Sequence, residues 1–204
     1  MKKFGTAIIL AGGKSSRMGF DKQQLNVDNN RLINHIIHKL SKEFDEIIVV
    51  TNTPAYYSGL PCITVEDEIV QKGPLSGIHI GLKKSSSEYA YVIACDMPNI
   101  KFDYIKFMKD RINETKSDAC ITMFGTEWIE PFNGFYSKSI LSDIESYLLR
   151  DRKSVFHLLK QVNCYYIDEV KAREYSPNWE MFLNLNTKED LEKYVNNSIN
   201  KSIG

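Results

Sequence analysis

The stretch from Leu10 to Lys22, L-A-G-G-K-S-S-R-M-G-F-D-K, gathers side chains suited to phosphate chemistry. Gly12 and Gly13 permit a tight turn with positive φ. The preceding Thr6-Ala7-Ile8-Ile9 is apolar enough for a buried strand. A glycine turn closing a parallel strand exposes backbone N–H groups, and Lys14, Arg17 and Lys22 can hold a polyphosphate against them. Neither G-x-x-x-x-G-K-[ST] nor G-x-G-x-x-G fits, because the glycines are adjacent and the cations follow. The expectation is a nucleoside triphosphate loop, with Leu10, Ala11, Gly12 and Gly13 as its backbone. The plain alternative is a Gly-Gly turn with solvated cations.

Three more apolar runs end in groups that can meet a ligand. Ile47-Ile48-Val49-Val50 ends in Thr51-Asn52, Ile63-Thr64-Val65 in Glu66-Asp67, and Tyr89-Ala90-Tyr91-Val92-Ile93-Ala94 in Cys95-Asp96-Met97-Pro98. In open parallel sheets, ligands bind beyond the carboxyl ends of the strands, so these ends converge. Asp96 is the candidate metal ligand, since Mg²⁺ takes hard oxygens from one or two carboxylates, phosphates and water. Its other reading is a turn cap before proline. Asp67 faces either a ligand or solvent. Thr51 and Asn52 stay undecided, because a one-residue register shift exchanges their faces. Gly73-Pro74-Leu75-Ser76-Gly77 opens a helix: Pro74 suits its first position, and Gly73 and Gly77 let backbone approach a flat base. The same stretch reads equally as an ordinary proline-initiated cap.

The elements that must carry these residues alternate. Leu32, Ile33, Ile36, Ile37 and Leu40 mark one helical face. A helix is expected from about Tyr104 and a strand over Ala119-Cys120-Ile121-Thr122. Phe132 to Tyr136 reads as a strand, Lys138 to Leu149 and Ser154 to Gln161 as helices, and Cys164 to Ile167 as a strand. Thr187, with Asp190 three residues on, reads as the N-cap of a last helix. The rhythm predicts a Rossmann-like three-layer α/β/α sandwich with a mostly parallel central sheet. At 204 residues the chain has the size of one domain, expected over 1–195, with a polar, fraying tail over 196–204. Lys and Arg number 26, as do Asp and Glu, so no global field favours nucleic acid or an anionic membrane. Cys62, Cys95, Cys120 and Cys164 show no metal-ligand spacing, and free thiols fit a cytoplasmic protein. No apolar run is long enough to cross a bilayer. His35, His38, His79 and His157 fall in helical segments, as packing or surface residues. No nucleophile–base arrangement suggests a covalent intermediate.

Leu10 to Lys22 closely resembles the L-A-G-G-x-x-x-R-M-G-x-D-K signature of the molybdenum cofactor guanylyltransferases, within the sugar-nucleotidyltransferase-like superfamily. Cys95-Asp96-Met97-Pro98 is similar to that family's C-D-x-P, and Gly73 to Gly77 to its G-P-L-A-G, with Ser76 replacing Ala. Phe182 and Asn184-Leu185-Asn186-Thr187 follow its F-x-N-x-N-T. Glu130-Pro131-Phe132-Asn133-Gly134-Phe135-Tyr136 departs from its H/Q-P-x-x-A-L-Y at Glu130, Asn133 and Gly134. The resemblance spans roughly residues 6 to 195. It implies GMP transfer from GTP to molybdopterin-bound molybdenum cofactor, giving the guanine dinucleotide cofactor and pyrophosphate. It further implies Lys22, Arg17 and Asp96 as catalytic groups, Asp96 on Mg²⁺, Asp67 on the nucleotide, and Asn186 toward the acceptor phosphate or the metal. Molybdoenzyme assembly proteins are the partners it suggests. The competing expectations are a cytidylyltransferase or a sugar- or polyol-phosphate nucleotidyltransferase, and a non-catalytic GTP-binding assembly partner.

Overall fold

The computed structural model describes residues 1–11, 26–27, 30–69, 73–126, 128–187, 189–190 and 194. Among them, β1 (Thr6–Leu10), β4 (Glu46–Val50), β5 (Ile63–Val65), β6 (Tyr89–Ala94), β7 (Ala119–Phe124), β8 (Trp128–Ser137) and β9 (Cys164–Asp168) form one sheet. Its order is β5-β4-β1-β6-β8-β7-β9, and β2 (Asn26–Val27) pairs separately with β3 (Asn30–Arg31). Every pairing in the large sheet is parallel except those of β8, which runs against both β6 and β7.

Strands covered on both faces need no polar alternation, which explains the unbroken apolar runs. Ala7 and Ile9 pack with Ile33 and Ile36 of α1 (Leu32–Leu40), Tyr104 and Ile105 of α3 (Phe102–Thr115) and Ala172 of α6 (Glu169–Tyr175). Ile8 and Val92 face the other way, toward Ile78 and Leu82 of α2 (Pro74–Lys84), Ile144 of α4 (Leu141–Leu149) and Leu158 of α5 (Val155–Leu159). The expected three-layer sandwich is therefore present. The closeness of α2 to the sheet depends on Gly81, where a Cβ would come within 2.6 Å of Ile8 Cγ2.

Three details differ from the sequence reading. The β8 strand begins at Trp128, because Pro131 lies in an irregular stretch where the register on β7 shifts and Asn133 adopts φ 54°. Lys138–Ile140 form a separate 3-10 turn before α4, capped by the Ser137 hydroxyl. Helix α6 was not expected; the Asp168 carboxylate caps it by accepting the Val170 N–H at 2.8 Å. The reciprocal cap at Thr187 is as read: its N–H donates to Asp190 Oδ2 at 2.8 Å, and Asp190 N–H donates to Thr187 Oγ1 at 3.0 Å. The tail over 196–204 lies outside the described residues.

Candidate active site

Strands β5, β4, β1 and β6 are consecutive and parallel, so their carboxyl ends share one rim. Sheet hydrogen bonds continue one residue past them. Ala11 N–H donates to Val50 O at 2.9 Å, Thr51 N–H to Val65 O at 2.9 Å, and Cys95 N–H to Leu10 O at 3.1 Å. The four strand ends singled out by sequence thus stand side by side at one level. Gly12, Gly13, Lys14, Arg17 and Lys22 lie outside the described residues, but Ala11 delivers the chain to this rim.

On the β4–β5 side, the register separates Thr51 from Asn52. Thr51 is buried, and its hydroxyl accepts the Thr53 N–H at 3.1 Å. Asn52 is exposed. Asp67 is half-buried; its Oδ2 accepts from the Ser76 hydroxyl at 3.1 Å, while Oδ1 is buried without a hydrogen-bond partner. Burial pushes its pKa up, opposed by the Ser76 hydrogen bond and by His79. A donor from a bound molecule would satisfy Oδ1, since an unpaired buried acceptor carries a desolvation cost. Gly73 caps α2 with φ +72°, Pro74 takes its first position, and Gly77 lies beneath Leu10, where a Cβ would meet Cδ2 at 3.0 Å.

On the β6 side, Asp96 is 5% exposed, and its carbonyl accepts the Leu185 N–H at 2.9 Å. That bond brings the C-terminal segment to the rim, with exposed Asn184 and Asn186 flanking buried Leu185. Asn186 N–H donates to Asp190 Oδ2 at 3.0 Å. Asn133 secures the same segment from below: its Nδ2 donates to Met181 O at 3.3 Å, and Tyr91 OH donates to its Oδ1 at 2.5 Å.

Because β8 is reversed, its beginning reaches the rim. Glu130 stands there with its pKa pushed up to about 7, chiefly by burial and also by the nearby Asp96 charge; the Phe132 N–H, which it accepts at 3.0 Å, partly offsets this. The Asp96 charge reaches Glu130, and among the described residues no group of three or more His, Cys, Asp or Glu that could hold a metal ion assembles. A Mg²⁺ ion at Asp96 would therefore have to draw most of its ligands from phosphate and water.

The arrangement sets the described candidate groups along one rim. Residues 7–164 match the model of the MobA-like NTP transferase domain. The chain belongs to that family. This MobA-like transferase is 55% identical over 192 residues to a molybdenum cofactor guanylyltransferase of Syntrophotalea carbinolica, covering 94% of this chain and 91% of that protein. A probable molybdenum cofactor guanylyltransferase of Peptoclostridium acidaminophilum is 51% identical over 198 residues, covering 95% and 89%. Among solved structures, molybdopterin-guanine dinucleotide biosynthesis protein A from Archaeoglobus fulgidus superposes with a TM-score of 0.79 at 23% identity, over 92% of this chain and 95% of that one. The latter likeness speaks to the fold.

Sequence reading of this MobA-like transferase missed the contributions of Glu130 and Asn133, which registered only as departures from a pattern. The signal was present in their combination. A glycine beside an Asn able to adopt φ > 0, in a strand containing proline, marks a bulge, and bulges re-aim neighbouring side chains. The four cysteines are free thiols, as expected, with Cys95 and Cys120 buried. His79 is a packing residue at 2% exposure.

Proposed function

We propose that this protein transfers GMP from GTP to the phosphate of the molybdenum cofactor, releasing pyrophosphate and forming the guanine dinucleotide cofactor. The observation that carries this reading is the 55% identity to a molybdenum cofactor guanylyltransferase across 94% of the chain. The convergence of the candidate residues on one rim supports it.

In the reaction an acceptor phosphate oxygen attacks the α-phosphorus of GTP. One P–O bond forms and the bond to pyrophosphate breaks. The protein aligns two anions and offsets their charge, so positioning and electrostatics carry the catalysis. Backbone N–H groups of the Leu10–Gly13 turn, with Lys14, Arg17 and Lys22, hold the triphosphate. Asp67 Oδ1 accepts from the nucleoside, and Gly73 and Gly77 let α2 approach it. Asp96, with Glu130 beside it, would hold Mg²⁺, which when bound supplies positive charge to the transferring phosphoryl group. Asn186 orients the acceptor. No helix among the described residues is long and apolar enough to cross a membrane. Free thiols support a reducing cytoplasm as the setting.

The test is radiolabelled GTP supplied with acceptor, with and without Mg²⁺. Label appearing in a dinucleotide with stoichiometric pyrophosphate is the expected result. GTP binding without turnover under any of these conditions would instead leave a non-catalytic partner of molybdoenzyme assembly proteins.

A further inference from the structure

We infer that the exposed ring of Trp128 is a stacking shelf for the flat, conjugated ring of the pterin acceptor. The inference rests on the acceptor proposed above. It assigns a binding role to a residue that no phosphate chemistry requires.

Position along the rim comes first. The nucleotide candidates Thr51, Asp67 and Gly73 belong to the β5–β4 side, and Asp96 ends β6. Beyond Asp96 the sheet continues into β8 and β7. With the nucleoside candidates on the β5–β4 side and Asp96 at the end of β6, the length of rim left for the acceptor is that of β8 and β7.

The register then places Trp128. Phe124 pairs with Trp128, and Thr122 with Glu130. Alternation puts Trp128 and Glu130 on the same face, about 7 Å apart along the strand. Glu130 is the carboxylate near Asp96, so Trp128 stands one ring system further out on the acceptor side.

The surroundings of Trp128 leave it open. Phe124, Trp179 and Phe182 form a cluster with centroids 5.1–5.7 Å apart. The Arg173 guanidinium covers Trp179 at 4.0 Å. Trp128 joins this cluster through Phe124 at 5.8 Å, its one ring contact among the described residues, and remains 75% exposed. From Phe182 the chain continues through Leu183, 52% exposed, to Asn184 and Asn186 beside Asp96. An apolar ledge thus leads into two amides and then the carboxylates. That sequence of chemistries matches an acceptor with a conjugated ring at one end and a phosphate at the other.

The experiment uses the full chain with GTP and purified molybdenum cofactor. Removing an aromatic stacking partner typically weakens binding by about tenfold. Trp128→Ala should raise the acceptor KM by about that factor, with kcat at saturation and the GTP Kd unchanged within about twofold. Trp128→Phe should recover most of the loss. A merely structural role would lower the melting temperature and shift both substrates together. As a second readout, Trp179→Phe leaves Trp128 as the sole tryptophan, since the chain has two. Acceptor should then protect its fluorescence from acrylamide, whereas GTP alone should not. An unchanged acceptor KM in Trp128→Ala overturns the inference. So does a fall in sedimentation coefficient with acceptor KM intact, which would assign the ring to contact between copies. Absence of dinucleotide from the wild type would remove the acceptor reading and this inference together.

Discussion

Asp96→Asn keeps the size of the side chain and removes the charge that a hard cation needs. Turnover should fall by at least about 10²-fold at every Mg²⁺ concentration, the scale of a lost charge-stabilising group. The bond that holds Leu185 at the rim should survive, because it uses the Asp96 carbonyl and not its side chain. Full specific activity in this variant would return Asp96 to the role of a turn cap. Lys22→Ala should cost about 2–4 kcal/mol of transition-state stabilisation on the same argument. Single-turnover rates measure it, and a wild-type rate would make Lys22 a solvated cation. His79 answers to pH instead. Burial holds its imidazole below its ordinary pKa against the raising effects of Glu145, Glu68 and Asp67, while Lys83 adds to the lowering. The unfolded chain takes up this proton near pH 6.5, and the folded chain only at lower pH, so the unfolded state binds more protons there. Stability should therefore decline as pH falls below about 6.5, and His79→Gln should flatten that limb of a melting-temperature profile. At this scale the sequence alone could not tell which of Thr51 and Asn52 is buried. That depended on the last sheet bond of β4, from Thr51 N–H to Val65 O, which is set by the partner strand β5.

The bulged β8 couples three positions that looked unrelated. Gly134 has no room for a side chain: a Cβ would lie 2.8 Å from Ile121 Cγ2 and 3.0 Å from Cys120 O. Asn133 takes the left-handed conformation beside it, and Glu130 begins the regular pairing on the far side. Gly134→Ala should cost about 1–3 kcal/mol through overpacking, a drop of roughly 2–12 °C in melting temperature for a chain of this size. It should also weaken turnover per folded molecule, because the stretch aims Glu130. An unchanged melting curve would show that β7 yields. The bounds of α1 were legible from apolar residues at helical spacing, and those of β6 from an unbroken apolar run. Helix α6 was not legible: Ala172 is its one buried residue, so it carries no apolar stripe. Nor does the direction of β8 show in its own residues. A strand buried on both faces reads alike in either sense, and only its neighbours fix the orientation.

For the whole molecule, selectivity among nucleotides is the decisive property. A site built to hydrogen-bond one base leaves polar groups unpaired with another. GTP should therefore raise the melting temperature more than CTP at equal concentration, with about 2.7 kcal/mol of stabilisation at a hundred times its Kd. Equal or larger shifts with CTP would move the activity to the cytidylyl branch. The reversed strand has another consequence, in the order of biosynthesis. Strand β7 is made before β8, yet in the finished sheet β8 lies between β6 and β7. The growing chain thus completes β1, β4, β5 and β6 while the outer backbone of β6 has no final neighbour. At a synthesis rate of roughly 5–20 residues per second, that edge waits several seconds for β8 to be made. Nascent chains arrested between β7 and β8 should be the ones most readily captured by chaperones, and most prone to pair edge to edge with one another.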